Sequence, residues 1–159
     1  MPADLHQPLG FLIVDVARLL RRDFDAALDA AGLDLTAGEA RALLRCAHHG
    51  TGQGIRQSQL AEVMSLEPMT LVGYLDRLEK AGLIGRFPDP SDRRAKLIRP
   101  LPAAAAVIDR IEAVAGAVRA GATAGMSAEA LGATRQVLEH MQQRLAGGEA
   151  RARDAAAAL

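Results

Sequence analysis

Apolar side chains in the first part of the chain return every three or four residues. Leu12, Val16, Leu19, Leu20, Phe24 and Leu28 share one face, while Arg18, Arg21, Arg22, Asp25 and Asp29 fill the other. A 3.6-residue period stacks such positions into one stripe, so the spacing predicts a helix over residues 9–31, stopped by Gly32. Thr36 followed by Glu39 is a capping-box pair and predicts a second helix running through Ala40, Leu43, Leu44 and Ala47. Gly50-Thr51-Gly52-Gln53-Gly54 then predicts a loop. Two shorter helical patterns follow, over 58–64 and 68–81, with Ser65-Leu66-Glu67 as the turn between them. Pro68 suits a first helical position because the N–H it lacks would be unpaired there anyway. Leu71, Leu75 and Leu78 form the buried stripe of this helix, which leaves Thr70, Gly73, Tyr74 and Arg77 more exposed, and Gly82 closes it.

Beyond Gly82 the period changes. Residues 83–87 and 95–99 read as two short strands around Pro88-Asp89-Pro90-Ser91-Asp92-Arg93-Arg94, a polar hairpin tip. The rest is helical. One helix is predicted over 102–120, starting at Pro102, with Val107, Ile108, Ile111, Val114 and Val118 apolar. Another starts near the N-cap candidate Ser127 and carries Leu131, Thr134, Leu138, Met141 and Leu145 on one face. Gly147-Gly148 is expected to end it, leaving a frayed Ala-rich tail.

Composition narrows the function classes. The 159 residues are half hydrophobic, with 19 Lys+Arg against 19 Asp+Glu, which is a globular composition sized for one domain with dimerisation arms. Aromatic residues make up only 3%, so stacking platforms for single-stranded nucleic acid are not expected. The longest apolar stretches, residues 9–14 and 103–108, are far short of the about 20 residues of a membrane span. The N-terminus has no basic segment before an apolar run, so no signal peptide is expected. The single cysteine, Cys46, cannot form an internal disulfide, which fits a reducing cytoplasm. The zero net charge is a sum of unlike parts. Residues 1–54 carry five Arg against seven acids, residues 55–99 eight bases against six acids, and residues 100–159 six against six. Within 86–99, Arg86, Arg93, Arg94, Lys96 and Arg99 face only Asp89 and Asp92, a basic patch confined to the hairpin.

Helix, short helix, helix and basic hairpin follow one another in the order of a winged helix-turn-helix. A major groove admits one α-helix, and an adjacent basic hairpin can reach phosphates or the minor groove. The run Gln59-Leu60-Ala61-Glu62, then Leu75-Asp76-Arg77-Leu78-Glu79-Lys80-Ala81-Gly82-Leu83-Ile84, Arg86, and Asp89-Pro90-Ser91-Asp92-Arg93-Arg94-Ala95-Lys96 resembles the MarR family of bacterial transcription regulators, its SlyA-like branch most. Close motif similarity covers 57–99, and the flanking helices fit as a pattern. The resemblance implies a mainly α homodimer that binds a palindromic double-stranded operator, represses in the usual case, and is released by a small aromatic or phenolic effector. No cofactor or catalytic role is implied. The parts would be dimerisation helices in 1–35 and 121–159, a DNA-binding domain in 36–101 and a connecting helix in 102–120.

The resemblance also implies roles for residues. The recognition helix would present Pro68, Met69, Thr70, Gly73, Tyr74 and Arg77 to DNA, with Thr70 and Tyr74 foremost in the groove. Arg56, Gln57, Ser58, Arg86, Ser91, Asp92, Arg93, Arg94 and Lys96 would form the wing and phosphate set. In it Arg94 would enter the minor groove, Arg93 and Lys96 would meet phosphates, and Asp92 would fix the wing by pairing with an Arg, Arg77 being the candidate. The chain departs from the family pattern at four places. Gly73 stands where the branch often has an Arg able to read guanine, and Arg56 where a capping Ser or Thr is usual. Pro100-Leu101-Pro102 replaces the common Leu-Thr, and neither Ser65 nor Glu67 is a strong cap for the recognition helix.

Other readings remain open from sequence. Cys46 could serve a redox-sensing regulator, although its place among Leu43, Leu44 and Ala47 suits a buried structural thiol. The winged region could dock a protein and not DNA. His48 and His49 point about 100° apart on a helix and cannot chelate one metal together; His6 and His140 stand alone. An effector pocket is expected between the arms and the winged domain, lined by first-helix Leu and Phe, by Arg41 and Arg45, and by the 102–120 helix. A lone module would leave the Leu12/Val16/Leu19 and Leu131/Leu138/Met141 stripes exposed, which is a second reason to expect a dimer.

Overall fold

The computed structural model describes residues 7–49 and 52–157, with side chains as far as Leu145. His6, Gly50, Thr51 and the last two residues of the Ala-rich tail lie outside the described residues. The element order is α1 (Leu9–Ala30), α2 (Ala37–His49), β1 (Ile55–Arg56), α3 (Gln57–Met64), α4 (Pro68–Lys80), β2 (Ile84–Asp89), β3 (Asp92–Pro100), α5 (Ala104–Ala122) and α6 (Ala128–Ala157). The chain divides into two compact units, Met1–Arg119 and Ala120–Leu159.

The first unit holds the core. Leu28 of α1, Leu43 and Cys46 of α2, Leu60 and Met64 of α3, Leu71, Leu75 and Leu78 of α4, Ile84 and Ile98 of the sheet, and Ile111 of α5 form one buried cluster. The α4 stripe predicted from spacing is therefore the one that is buried. Three helices end in the same hydrogen-bonded lock. After α4, Gly82 takes φ 71°, its N–H donates to the Glu79 carbonyl at 2.9 Å, and the Leu83 N–H donates to the Leu78 carbonyl at 3.0 Å. Gly32 closes α1 likewise, and after α3 the left-handed position is filled by Ser65 at φ 51°. The expected capping box starts α2: the Thr36 N–H donates to Glu39 Oε2 at 2.8 Å and the Glu39 N–H donates to Thr36 Oγ1 at 3.3 Å. Asp25 of α1 adds a carboxylate there by accepting the Ala37 N–H at 2.6 Å.

The sheet is larger than the predicted hairpin. Its order is β1-β3-β2, all antiparallel, with Ile55 opposite Ile98 and Arg86 also opposite Ile98 on the other side. The two-residue β1 is too short to leave a periodic signature. Pro88 and Asp89, assigned from sequence to the tip, belong to β2. Proline lacks an N–H and is tolerated there because β2 is an edge strand, and the register shifts at Pro88/Asp89.

Pro102 does not occupy the first helical position of α5. It sits in a preceding turn, closed by the Ala104 N–H donating to the Leu101 carbonyl at 2.8 Å. On α1 only Leu28 is buried, while Phe11 (65% exposed), Val14 (64%), Leu12 and Val16 remain open.

In the second unit, Ser127 caps α6 as expected, its hydroxyl accepting the Ala130 N–H at 3.1 Å. The helix does not end at Gly147-Gly148 but runs on to Ala157. Each Gly costs about 1 kcal/mol of helix propensity relative to Ala, and the Ala- and Arg-rich residues that follow favour helix enough to carry it through. Val137, Leu138 and Leu145 of α6 are exposed. Among the described residues, no helix is long and apolar enough to cross a membrane.

Candidate nucleic-acid interface

The left-handed Ser65 ends α3 and α4 follows with its leucine stripe buried, so the side chains of its opposite face define what a groove would meet. At its first turn Pro68, Met69 and Thr70 are exposed, Met69 to 78%. Gly73 is partly exposed, and a Cβ added there would have no atom within 4 Å.

Tyr74 corrects the sequence expectation. Its ring turns inward and covers Gly38 of α2, so it is half-buried against the core and not foremost in a groove. The pattern of leucines could not show this, because the space that receives the ring is made by a glycine 36 positions earlier. Arg77 does not pair with Asp92. Its Nε donates to Glu39 Oε1, and its guanidinium lies 5.7 Å from the Tyr74 ring centroid. Glu39 is buried. Burial alone would raise its carboxyl pKa, but the Thr36 N–H and then the Arg77 guanidinium hold it below the ordinary 4.5. From sequence Glu39 was recognisable only as half of a capping box, and its second duty to α4 was missed.

Two other arginines assigned to DNA are also paired within the protein. Arg86 of β2 donates from Nη2 to Asp76 at 2.6 Å and from Nη1 to Glu79, clamping the edge strand to α4. Arg56 donates from Nε to Asp89 Oδ2 at 2.6 Å and from Nη2 to Ser91 Oγ at 2.8 Å. Asp89 is the centre of this knot: its Oδ1 accepts the Ser91 N–H at 2.8 Å and the Ser91 hydroxyl at 2.7 Å. The Ser91 hydroxyl, the Ser91 N–H and Arg56 together hold the Asp89 carboxyl down to about 2, from an ordinary 3.8. The residue that fixes the wing is thus Asp89, with Arg56 in place of the missing cap, and not Asp92. The Asp92 carboxylate makes a local turn, accepting the Arg94 N–H at 3.0 Å. An acid flanked by two prolines reads as loop, and nothing in the sequence marks it as an anchor.

Arg99 is engaged as well, with Nε donating to the Gln53 carbonyl at 2.6 Å and its guanidinium over the Phe87 ring. What remains of the basic patch is Arg93, Arg94 and Lys96, all exposed, their side chains without an ion pair among the described residues. Gln57 and Ser58 at the start of α3 face Arg94 and Lys96 across a cleft of about 350 Å³. A free cationic tip on a braced hairpin, beside an exposed helix face, suits a duplex: cations for phosphates and a helix for the groove.

A second cleft, of about 290 Å³, lies among α1, α2 and α5 and is largely apolar, with Leu20, Phe24 and Val118 in its wall and Arg21, Arg41 and Arg119 around it. Arg41 lines it as expected. Arg45 does not, and its guanidinium instead lies 3.1 Å from the His49 ring. Burial, then the nearby charges of Arg21 and Arg45, lower the pKa of the Arg41 guanidinium, the signature of a cation short of an anion. Cys46 is fully buried, and burial pushes its thiol up to about 12, so almost no thiolate is present near neutral pH for redox chemistry. His48 lies 2.8 Å from Glu112.

Residues 35–96 match the model of the MarR family. The structure is similar to a crystal structure of the transcriptional regulator PA3341, at 32% identity and a TM-score of 0.75, with 87% of this chain and 98% of that one covered. It is similar to CouR from Rhodococcus jostii RHA1 bound to p-coumaroyl-CoA, at 28% identity and a TM-score of 0.74, with 85% and 92% covered. A third neighbour is a mutant MarR from E. coli complexed with operator DNA, at 28% identity and a TM-score of 0.71, with 87% and 99% covered.

Proposed function

This chain belongs to the MarR family of transcription regulators, and from that premise we propose that it acts as a homodimeric, cytoplasmic repressor binding a palindromic operator and released by a small aromatic or phenolic effector. The observation that carries the DNA part is the division of labour among the basic residues. Arg56, Arg77, Arg86 and Arg99 brace the winged domain internally, whereas Arg93, Arg94 and Lys96 project free from its tip. Arg94 enters the minor groove, Arg93 and Lys96 neutralise phosphates, and the first turn of α4 enters the major groove. The exposed stripes of α1 and α6 support dimerisation, which sets the two recognition helices about 34 Å apart, one per half-site.

The cleft among α1, α2 and α5 supports the effector part. Apolar walls suit a ring, and the partly buried Arg41 beside Arg21 suits a carboxylate. CouR, a structural neighbour, was crystallised with an aromatic acyl thioester.

The test of the DNA reading is salt-dependent binding of wild type and Arg94→Ala to a duplex the protein selects. Each phosphate contact contributes about −0.9 to the log–log salt slope. Arg94→Ala should weaken binding at physiological salt with its melting unchanged. Equal binding by both proteins would remove the wing from the interface, and no duplex binding at all would favour a protein-docking role for the winged region.

A further inference from the structure

The recognition helix of a DNA reader normally offers polar side chains to base edges, and on α4 nearly all of them are already committed. Arg77 is paired with Glu39, Asp76 and Glu79 with Arg86, and the Tyr74 ring covers Gly38. Lys80, in the last turn, lines a depression with Asp29 and Asp34 at the far end of the helix. What the outward face still presents at its N-terminal end is Met69, Thr70 and Gly73. Met69 is 78% exposed, the most open large hydrophobic among the described residues, and it stands four residues before Gly73, so the two share one face a turn apart. Nothing among the described residues explains the glycine, since a Cβ there would meet open space and helix propensity disfavours it. That face therefore presents a long, flexible thioether and, one turn on, a position with no side chain.

We infer that Met69, one turn before Gly73 on the same face, is a specificity-determining residue that reads the C5-methyl group of thymine in the major groove of each half-site. Of the four bases, only thymine carries an apolar group on its major-groove edge, and apolar side chains are the ones that contact it. The missing side chain at Gly73 lets the helix backbone come close enough for the Met69 chain to lie flat on that methyl, and the methyl of Thr70 widens the same surface. Met suits the role because its unbranched thioether adapts to an irregular contact. Sequence preference at this position is then thymine over cytosine, by shape and apolar contact, without a bidentate hydrogen bond. The inference rests on the DNA-binding reading above and adds the base it reads and the residue that reads it.

The experiment uses duplexes recovered by the full-length protein from a random pool. Each thymine of the half-site is replaced in turn by deoxyuridine, which lacks only the methyl group, and binding is measured by fluorescence anisotropy. For wild type, one replacement, made in both half-sites, should weaken binding about fifteen-fold, at about fourfold per buried methyl. Met69→Ala should bind the parent duplex more weakly and lose the thymine–deoxyuridine difference. Met69→Leu, which keeps an apolar contact, should retain it, and a melting curve for each variant separates a lost contact from a lost fold. Wild type that binds the parent duplex but ignores every deoxyuridine, a selected half-site without thymine, or an undiminished methyl effect in Met69→Ala would each overturn the inference and leave DNA binding standing. Failure to recover any duplex would instead overturn the DNA-binding reading and this inference with it.

Discussion

Adding one methyl group at Gly38 should damage the protein, while the same change at Gly73 should strengthen it, although both glycines are helical. At Gly38 the new Cβ would run into Cζ and the hydroxyl of Tyr74 and lie 2.8 Å from its Cε2, so the ring has to move. Overpacking of this kind costs about 1–3 kcal/mol. Displacing the ring also breaks its contact with the Arg77 guanidinium, worth about 0.5–1 kcal/mol at an exposed site. The gain in helix propensity, at most about 1 kcal/mol, offsets only part of this. Net destabilisation by Gly38→Ala is therefore about 1–3 kcal/mol, and each kcal/mol lowers Tm by about 2–4 °C in a chain of this size. At Gly73 nothing opposes the propensity gain, so Gly73→Ala should raise Tm by up to about 2–4 °C. The assay is thermal melting by circular dichroism at fixed protein concentration, because association shifts Tm. Tyrosine emission adds a local readout, since Tyr74 is the only tyrosine and there is no tryptophan. Its spectrum should change in Gly38→Ala and stay as in wild type in Gly73→Ala. A Gly38→Ala protein as stable as wild type would refute the packing of Tyr74 on α2, and a Gly73→Ala protein less stable than wild type would refute the open space at Gly73.

Three further outcomes are expected. Because the folded Asp89 carboxyl is held at about 2 against an ordinary 3.8, its contribution to wing stability is present above pH 3.8 and is lost as pH falls through about 2; hydrogen exchange of the Asp92–Pro100 strand should accelerate across that window in wild type, and Asp89→Asn should show fast exchange already at pH 7. Arg86→Ala frees Asp76 and Glu79 to place two uncompensated negative charges beside the DNA face, so it should weaken duplex binding at least tenfold despite removing no free cation, as read by anisotropy. An aromatic carboxylate titrated into the protein should bind wild type and fail to bind Arg41→Met, while the uncharged amide of the same acid should bind the two alike; calorimetry reads the difference.

The order of helices, the wing and the leucine stripe of α4 were legible in the sequence because they depend on local spacing and on glycine and proline punctuation. The arginines were not. Arg77 and Arg86 sit in family-like positions and Arg56 replaces a usual cap, yet the three are held by acids 38, 10 or 7, and 33 residues away respectively, and one-dimensional pattern carries no information on such pairings. Tyr74 failed for the same reason, since its helical face is set by spacing but its direction by the hollow at Gly38. The length of the hairpin was misjudged because Pro88 reads as a breaker unless the strand is known to lie at the sheet edge. Arg93, Arg94 and Lys96 are exposed, as a run of charges around a polar hairpin tip predicts.

Whether two such winged domains act together on one duplex can be read from DNA recovered from a random pool with the full-length protein. A single enriched inverted repeat is expected, with half-site centres about 10 base pairs apart and strongly salt-dependent binding. Recovery of no sequence above background, or of isolated half-sites without an inverted partner, would contradict it.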